Sequence, residues 1–304
     1  MKPIVIGATL KAPIFRVSPI GLQTRLAYLL PTPRTLAGFL ASNLGRYLRL
    51  NPEQEIERTK LRENLMWDVI ASKMVLTCRP KRWVTKFQAT IKVWLLERRD
   101  IWRKRSESQK NKEESREEGE EKVEETVGMD ALKTEYVICD ELVFYAVFDS
   151  KELCKALNRY VLRKIKSYEL DQNEIPEILV KALRLSERIG DSESLVVATD
   201  SKQMRIERVG KAGVITTVTP KKWLSNYDEI ERIMPMPTTP LIAGRKINMR
   251  KNISEDMVLP LKPEFSKFLY YKYSEFEAEA ENQHSIIFLE NGDSIVIPNS
   301  FFGR

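Results

Sequence analysis

The sequence predicts an α+β protein: a strand-helix-strand-strand-helix-strand body followed by a β-rich region. Three observations carry that reading. Up to about residue 204, apolar runs suited to strands alternate with three- and four-residue apolar steps suited to helices. A charged segment almost without apolar residues interrupts this body near its middle. Beyond Arg205 the texture changes to short β-rich pieces separated by prolines.

"KPIVIGATL" (Lys2–Leu10) reads as a buried first strand. A long loop carrying Arg16 and Arg25 follows, then a helix from about Pro33 to Leu48. Thr32 is placed to cap that helix and Pro33 suits its first turn. Leu36, Phe39, Leu40, Leu44, Tyr47 and Leu48 give one apolar face, and Ala37, Gly38, Ala41, Ser42 and Gly45 a flank open to close approach. "NPEQEIERTKLRENLMWDVI" reads as a second, more exposed helix. "SKMVLTC" and "VTKFQATIKVWLLE" read as strands. "TEYVICDELVFYAVFD" restores order, and its unbroken Leu142–Phe148 run suits a central strand covered on both faces. "SKELCKALNRYVLRKI" is an amphipathic helix with Ser150 as cap. "IPEILVKALRLSERIG" is another, closed by Gly190 at a left-handed C′ position, and "SLVVATD" is the next strand. The order is that of a ferredoxin-like fold with an excursion in its middle. The predicted division is a body over residues 1–204, with a flexible charged insertion at about 104–130, and a small β-rich domain over 205–304. In the latter, "MPMPTTP" and "LPLKP" read as linkers and "ENGDSIVI" as a hairpin turn.

The formal charge is +7, but Ser106–Thr126 holds nine acids and four bases, a net of −5 that leaves +12 on the rest. So basic a body suggests a polyanionic partner, most simply nucleic acid, although a Lys-, Arg- and Glu-rich heat-adapted surface gives similar totals. No apolar run has the length of a membrane span, and the N-terminus shows no signal peptide. Three scattered cysteines without CxxC spacing argue against a disulfide framework or a zinc site and fit a reducing cytoplasm.

Motifs for chemistry are scarce. His284 is the single histidine, and no Walker, GxGxxG, HExxH or EF-hand pattern occurs, so no cofactor or metal is expected. Asp140 and Glu141 could serve a metal-dependent nuclease or be a solvated strand end. Binding signals are richer and form three clusters. Arg16, Gln23, Thr24, Arg25, Arg34, Thr35 and Ser42 surround the first helix, whose free amides and dipole suit a phosphate. Arg79, Lys81, Arg82 and Lys86 interleave with Trp83 and Phe87, a pattern for single-stranded RNA. Arg188, Ser192 and Ser194 surround the turn at Gly190, whose backbone amides could nest an anion. Plain surface charges, core aromatics and a helix stop are the bland readings of the same residues.

"RLAYLLPTPRTLAGFLA" (Arg25–Ala41) resembles the N-terminal signature of CRISPR-associated protein family 5, of the RAMP superfamily. "TEYVICDELVFYAVF" is similar to the family's strand after a variable hairpin, the thumb, and "RIGDSESLV" to its glycine turn as found in subtype I-A. The resemblance covers about residues 1–200. It implies an RNA-recognition-motif-like domain with a thumb excursion, and a smaller β domain. It also implies a non-catalytic place in a type I-A Cascade surveillance complex, of the kind archaea carry. There the family binds the 5′ handle of crRNA and caps the backbone beside the large subunit, touching target DNA only indirectly. One branch of the family is a metal-independent endoribonuclease using tyrosine, lysine and histidine. Here Tyr28 and Lys81 or Lys86 could fill two roles, and no nearby histidine fills the third.

Overall fold

The computed structural model describes residues 2–17, 27–50, 66–94, 129–162, 169–190, 194–225, 227–238, 254–266 and 269–303. The N-terminal strands are β1 (Ile4–Lys11), β2 (Ile14–Phe15), β3 (Met74–Pro80), β4 (Trp83–Trp94), β5 (Met129–Cys139), β6 (Leu142–Phe148) and β7 (Val197–Met204). The helices are α1 (Pro33–Tyr47), α2 (Met66–Lys73), α3 (Ser150–Leu162) and α4 (Ile175–Leu183). The protein is α+β. Strands β3, β6, β1 and β7 form an antiparallel sheet in the order β3-β6-β1-β7, the arrangement of a ferredoxin-like β-α-β-β-α-β unit.

Alternation along these strands explains how the sheet is buried. Ile6, Ala8 and Leu10 of β1, with Phe144, Ala146 and Phe148 of β6, join the core under the helices. Val5, Tyr145, Val147 and Met204 point the other way and meet Ile287, Leu289, Ile295 and Ile297. The apolar run Leu142–Phe148 is thus a central strand packed on both faces, as its composition predicts.

Helix α1 begins as predicted: Thr32 Oγ1 accepts the Thr35 N–H at 3.2 Å, and Pro33 occupies the first turn. Leu36, Phe39, Leu40 and Leu44 are buried, and Gly38 faces the Trp67 ring of α2. Two predicted helix ends change. Asp149, not Ser150, caps α3, accepting from the Lys151 and Glu152 amides at 2.9 and 3.1 Å, while the Ser150 hydroxyl donates to Gln172 O. Helix α4 stops at Leu183, seven residues before Gly190, so the glycine closes no helix. The strand expected at Ser194–Asp200 starts at Val197 and runs to Met204.

The remaining strands are β8 (Ile206–Gly210), β9 (Ala212–Ile215), β10 (Thr219–Pro220), β11 (Leu224–Ser225), β12 (Ile233–Pro237), β13 (Ser254–Val258), β14 (Leu261–Phe265), β15 (Leu269–Tyr273), β16 (Phe276–Ala280), β17 (His284–Leu289) and β18 (Ser294–Pro298). Gly292, with φ +85°, turns the predicted β17–β18 hairpin. The proline-rich pieces expected as linkers are strands instead: Pro235 and Pro237 lie on β12 and Pro263 on β14, both at sheet edges. An edge spares a ring without an N–H from a ladder position that needs one.

A second sheet runs β14-β15-β4-β5-β2. Strands β4 and β5 pair from Val84↔Cys139 to Trp94↔Met129, so the return strand begins at Met129 rather than near Glu135. The flexible insertion expected at about 104–130 lies outside the described residues except for Met129 and Asp130, which belong to β5. C-terminal β14 and β15 extend this hairpin, and the β17–β18 hairpin covers the four-stranded sheet.

Candidate functional site

Three stretches distant in sequence meet around Arg16. Its amide donates to Ser194 Oγ at 2.9 Å, it bridges Gly190 in parallel register, and its guanidinium lies 5.8 Å from the Tyr136 ring centroid. Arg16 is 7% exposed. Val17 and Tyr28 meet at this corner, the Tyr28 N–H donating to Val17 O at 2.9 Å. Ala27 N–H donates to Glu135 Oε2 at 3.0 Å, which ties the Ala27–Tyr28 stretch to β5. Lys86 also reaches Glu135, at 3.2 Å.

The two flanks of the glycine turn pair antiparallel, Arg188 opposite Leu195. Ile189 N–H donates to Ser194 O at 2.9 Å and Val196 N–H to Glu187 O at 3.0 Å. Gly190 has φ +81°, and a Cβ there would overlap Arg16 O and come within 3.0 Å of Val17 Cγ2. The position needs both the left-handed conformation and the missing side chain. Arg188 flanks it, exposed.

At the mouth of α1, Thr32 is fully buried and takes the Thr35 amide, and Pro33 has none, which leaves the Arg34 N–H as the open donor of that turn among the described residues. The expected stack of free amides is therefore reduced. Arg34 itself is half-buried; burial lowers its pKa, and the neighbouring Tyr28 partly offsets that. Burial likewise raises the Tyr28 phenol, with Arg34 opposing. Thr35 is spent on the cap, and Ser42 is an exposed partner of Arg46 at 3.4 Å. Gln23, Thr24, Arg25 and Ser192 lie outside the described residues.

The second predicted cluster disperses. Arg79 turns inward onto Asp293, with Nε–Oδ1 2.8 Å and Nη2–Oδ2 3.0 Å, and stands 4.8 Å over the Tyr273 ring. Burial opposes its charge, yet Asp293 holds its pKa above the usual value. Lys81 pairs with Glu141 at 2.6 Å, and Arg82 stands 4.0 Å from Asp140. The acids weighed as metal ligands thus serve a strand turn. Only Lys86 of this group reaches the corner, together with Phe87, whose ring stacks on Tyr136 at 5.3 Å and 20°.

Ser194, expected at the glycine turn, completes the corner with Glu135 and Tyr136, and no local signal assigns those two to a site: they become visible only through the β4–β5 register. His284 sits elsewhere, stacked on Trp223 at 4.8 Å; burial, then Lys211, lowers its pKa. Among the described residues no group of His, Cys, Asp and Glu is arranged to hold a metal, and no helix is long and apolar enough to cross a membrane.

No family model and no curated protein matches the chain. Among solved structures it is similar to a CRISPR protein from Archaeoglobus fulgidus, with 14% identity over 97% of this chain and 99% of that one, and a TM-score of 0.47. It is also similar to a chain of a CRISPR RNA-guided surveillance complex, with 12% identity over 90% of each and a TM-score of 0.31. Both are weak overlaps.

Proposed function

We propose that this protein is a non-catalytic RNA-binding subunit of a type I-A CRISPR surveillance complex, gripping the 5′ handle of crRNA beside the backbone and large subunits. One observation supports it most. The three stretches that resemble the family, within Arg25–Ala41, Thr134–Phe148 and Arg188–Val196, meet on Arg16 through Ala27–Glu135, Tyr136 and Gly190–Ser194 contacts. Cations and aromatic rings at one corner suit phosphates and splayed bases. Holding rather than cutting fits the placement of His284 on β17 against Trp223, apart from these three stretches, and of Lys81 against Glu141.

The test is filter binding of repeat-derived handle RNA across a salt series, with chelator present. Affinity falls steeply with salt, with a log–log slope of about −0.7 per phosphate contacted. Arg25→Ala and Arg34→Ala each weaken binding, whereas shortening residues 106–126 leaves it nearly unchanged. Binding lost on the deletion but indifferent to both arginines would misplace the site. Discrete cleavage abolished by Lys81→Ala or His284→Ala would make the protein a processing ribonuclease.

A further inference from the structure

The face of the ferredoxin-like sheet that lies away from the helices is closed by the β17–β18 hairpin, so it offers no surface to a strand of nucleic acid. The second sheet does. Val84 and Val137 are fully buried on its inner side, and Tyr271 packs against that core. By alternation Trp83 and Phe87 of β4, Tyr136 of β5 and Tyr270 of β15 therefore stand together on the outer side. Register places them on neighbouring strands: Phe87 opposite Tyr136, and Lys272 opposite Trp83. Phe87 is 36% exposed, and Trp83, Tyr136 and Tyr270 are partly open. A cation stands at each end, buried Arg16 against the Tyr136 ring and Lys272 beside Trp83, and of the two Lys272 is the one exposed to a phosphate. Glu264 is an acid of this face, taking the Tyr270 hydroxyl and standing 3.9 Å from Lys272.

We infer that this outer face is a stacking platform for unpaired nucleotides, with Phe87 as its central ring. The inference rests on the nucleic-acid reading above and adds where the bases go. Aromatic rings on a pleated surface, flanked by cations, accept any base by its π-face while the charges hold the backbone. A cross-strand aromatic pair also stabilises a hairpin, so the test must separate binding from folding.

The probe is a short single-stranded RNA carrying 2-aminopurine, bound to the full chain, with a blunt RNA duplex as control. Stacking on the wild-type protein quenches the probe. Phe87→Leu weakens single-strand binding roughly fivefold or more and relieves the quench. It leaves duplex binding and the thermal midpoint near wild type, and Phe87→Trp restores the quench. If Phe87→Leu binds the single strand as wild type while Arg34→Ala still weakens it, the platform is wrong and the handle corner stands. If wild type binds neither RNA, both readings fall. If Phe87→Leu abolishes a concentration-dependent dimer in light scattering and spares RNA binding, the face is a protein contact and the inference is overturned.

Discussion

Gly190 shows how much a single position can hold. Its φ of +81° alone would admit an asparagine, but the space for a Cβ is taken by Arg16 O and Val17 Cγ2. Gly190→Ala therefore meets both penalties and costs about 1–3 kcal/mol, read as a lower denaturation midpoint in urea. Gly190→Asn is not a rescue, because its Cβ meets the same atoms. An asparagine variant as stable as wild type would show that conformation, not contact, sets the requirement. Since the bridge to Arg16 passes through this residue, handle affinity drops in the alanine variant as well. The glycine is conspicuous in the sequence, but "RLSERIG" also reads as a helix running into its stop. The loop closure that gives Gly190 its real neighbour depends on residues 174 positions away.

At the scale of elements, what depends on neighbours in sequence was legible and what depends on pairing was not. Thr32, Pro33 and the apolar steps from Leu36 to Leu44 determine α1 locally, and the helix starts where they indicate. Thr32→Ala leaves the half-buried Thr35 amide without its acceptor and costs about 1 kcal/mol in thermal unfolding. Thr32→Ser keeps the hydroxyl and most of the stability; equal losses in the two variants would assign the effect to the methyl group. Strand order in the four-stranded sheet also follows from local pattern, because the β-α-β-β-α-β sequence of elements has few compact solutions. The proline-rich strands β12 and β14 were not legible: a proline is tolerated only at an edge, and edge status is a property of the finished sheet. The same holds for Phe87 and Tyr136, which face each other only because β4 and β5 pair across the long excursion between them.

The fate of Arg79 belongs to the whole molecule, since its partner Asp293 is 214 residues away. Their side chains are 15% and 5% exposed, and Asp293 also accepts from the Tyr145 hydroxyl and, at 3.1 Å, from Asn291 Nδ2. This polar knot sits where the β17–β18 turn closes onto the four-stranded sheet, among otherwise apolar contacts. Asp293→Ala strands a largely buried guanidinium and costs about 3–5 kcal/mol, visible as a large fall in thermal midpoint. Arg79→Met strands the carboxylate in turn. The double variant Arg79→Met with Asp293→Leu removes both charges and is more stable than the sum of the single losses, by a coupling of about 0.5–3 kcal/mol. On the proposed function, handle affinity of this double variant, measured well below its midpoint, matches wild type with an unchanged salt slope, because the arginine is turned onto Asp293. A slope shallower by roughly 0.7 would mean that Arg79 neutralises a phosphate after all, and that the turn carrying Asp293 opens to let it do so.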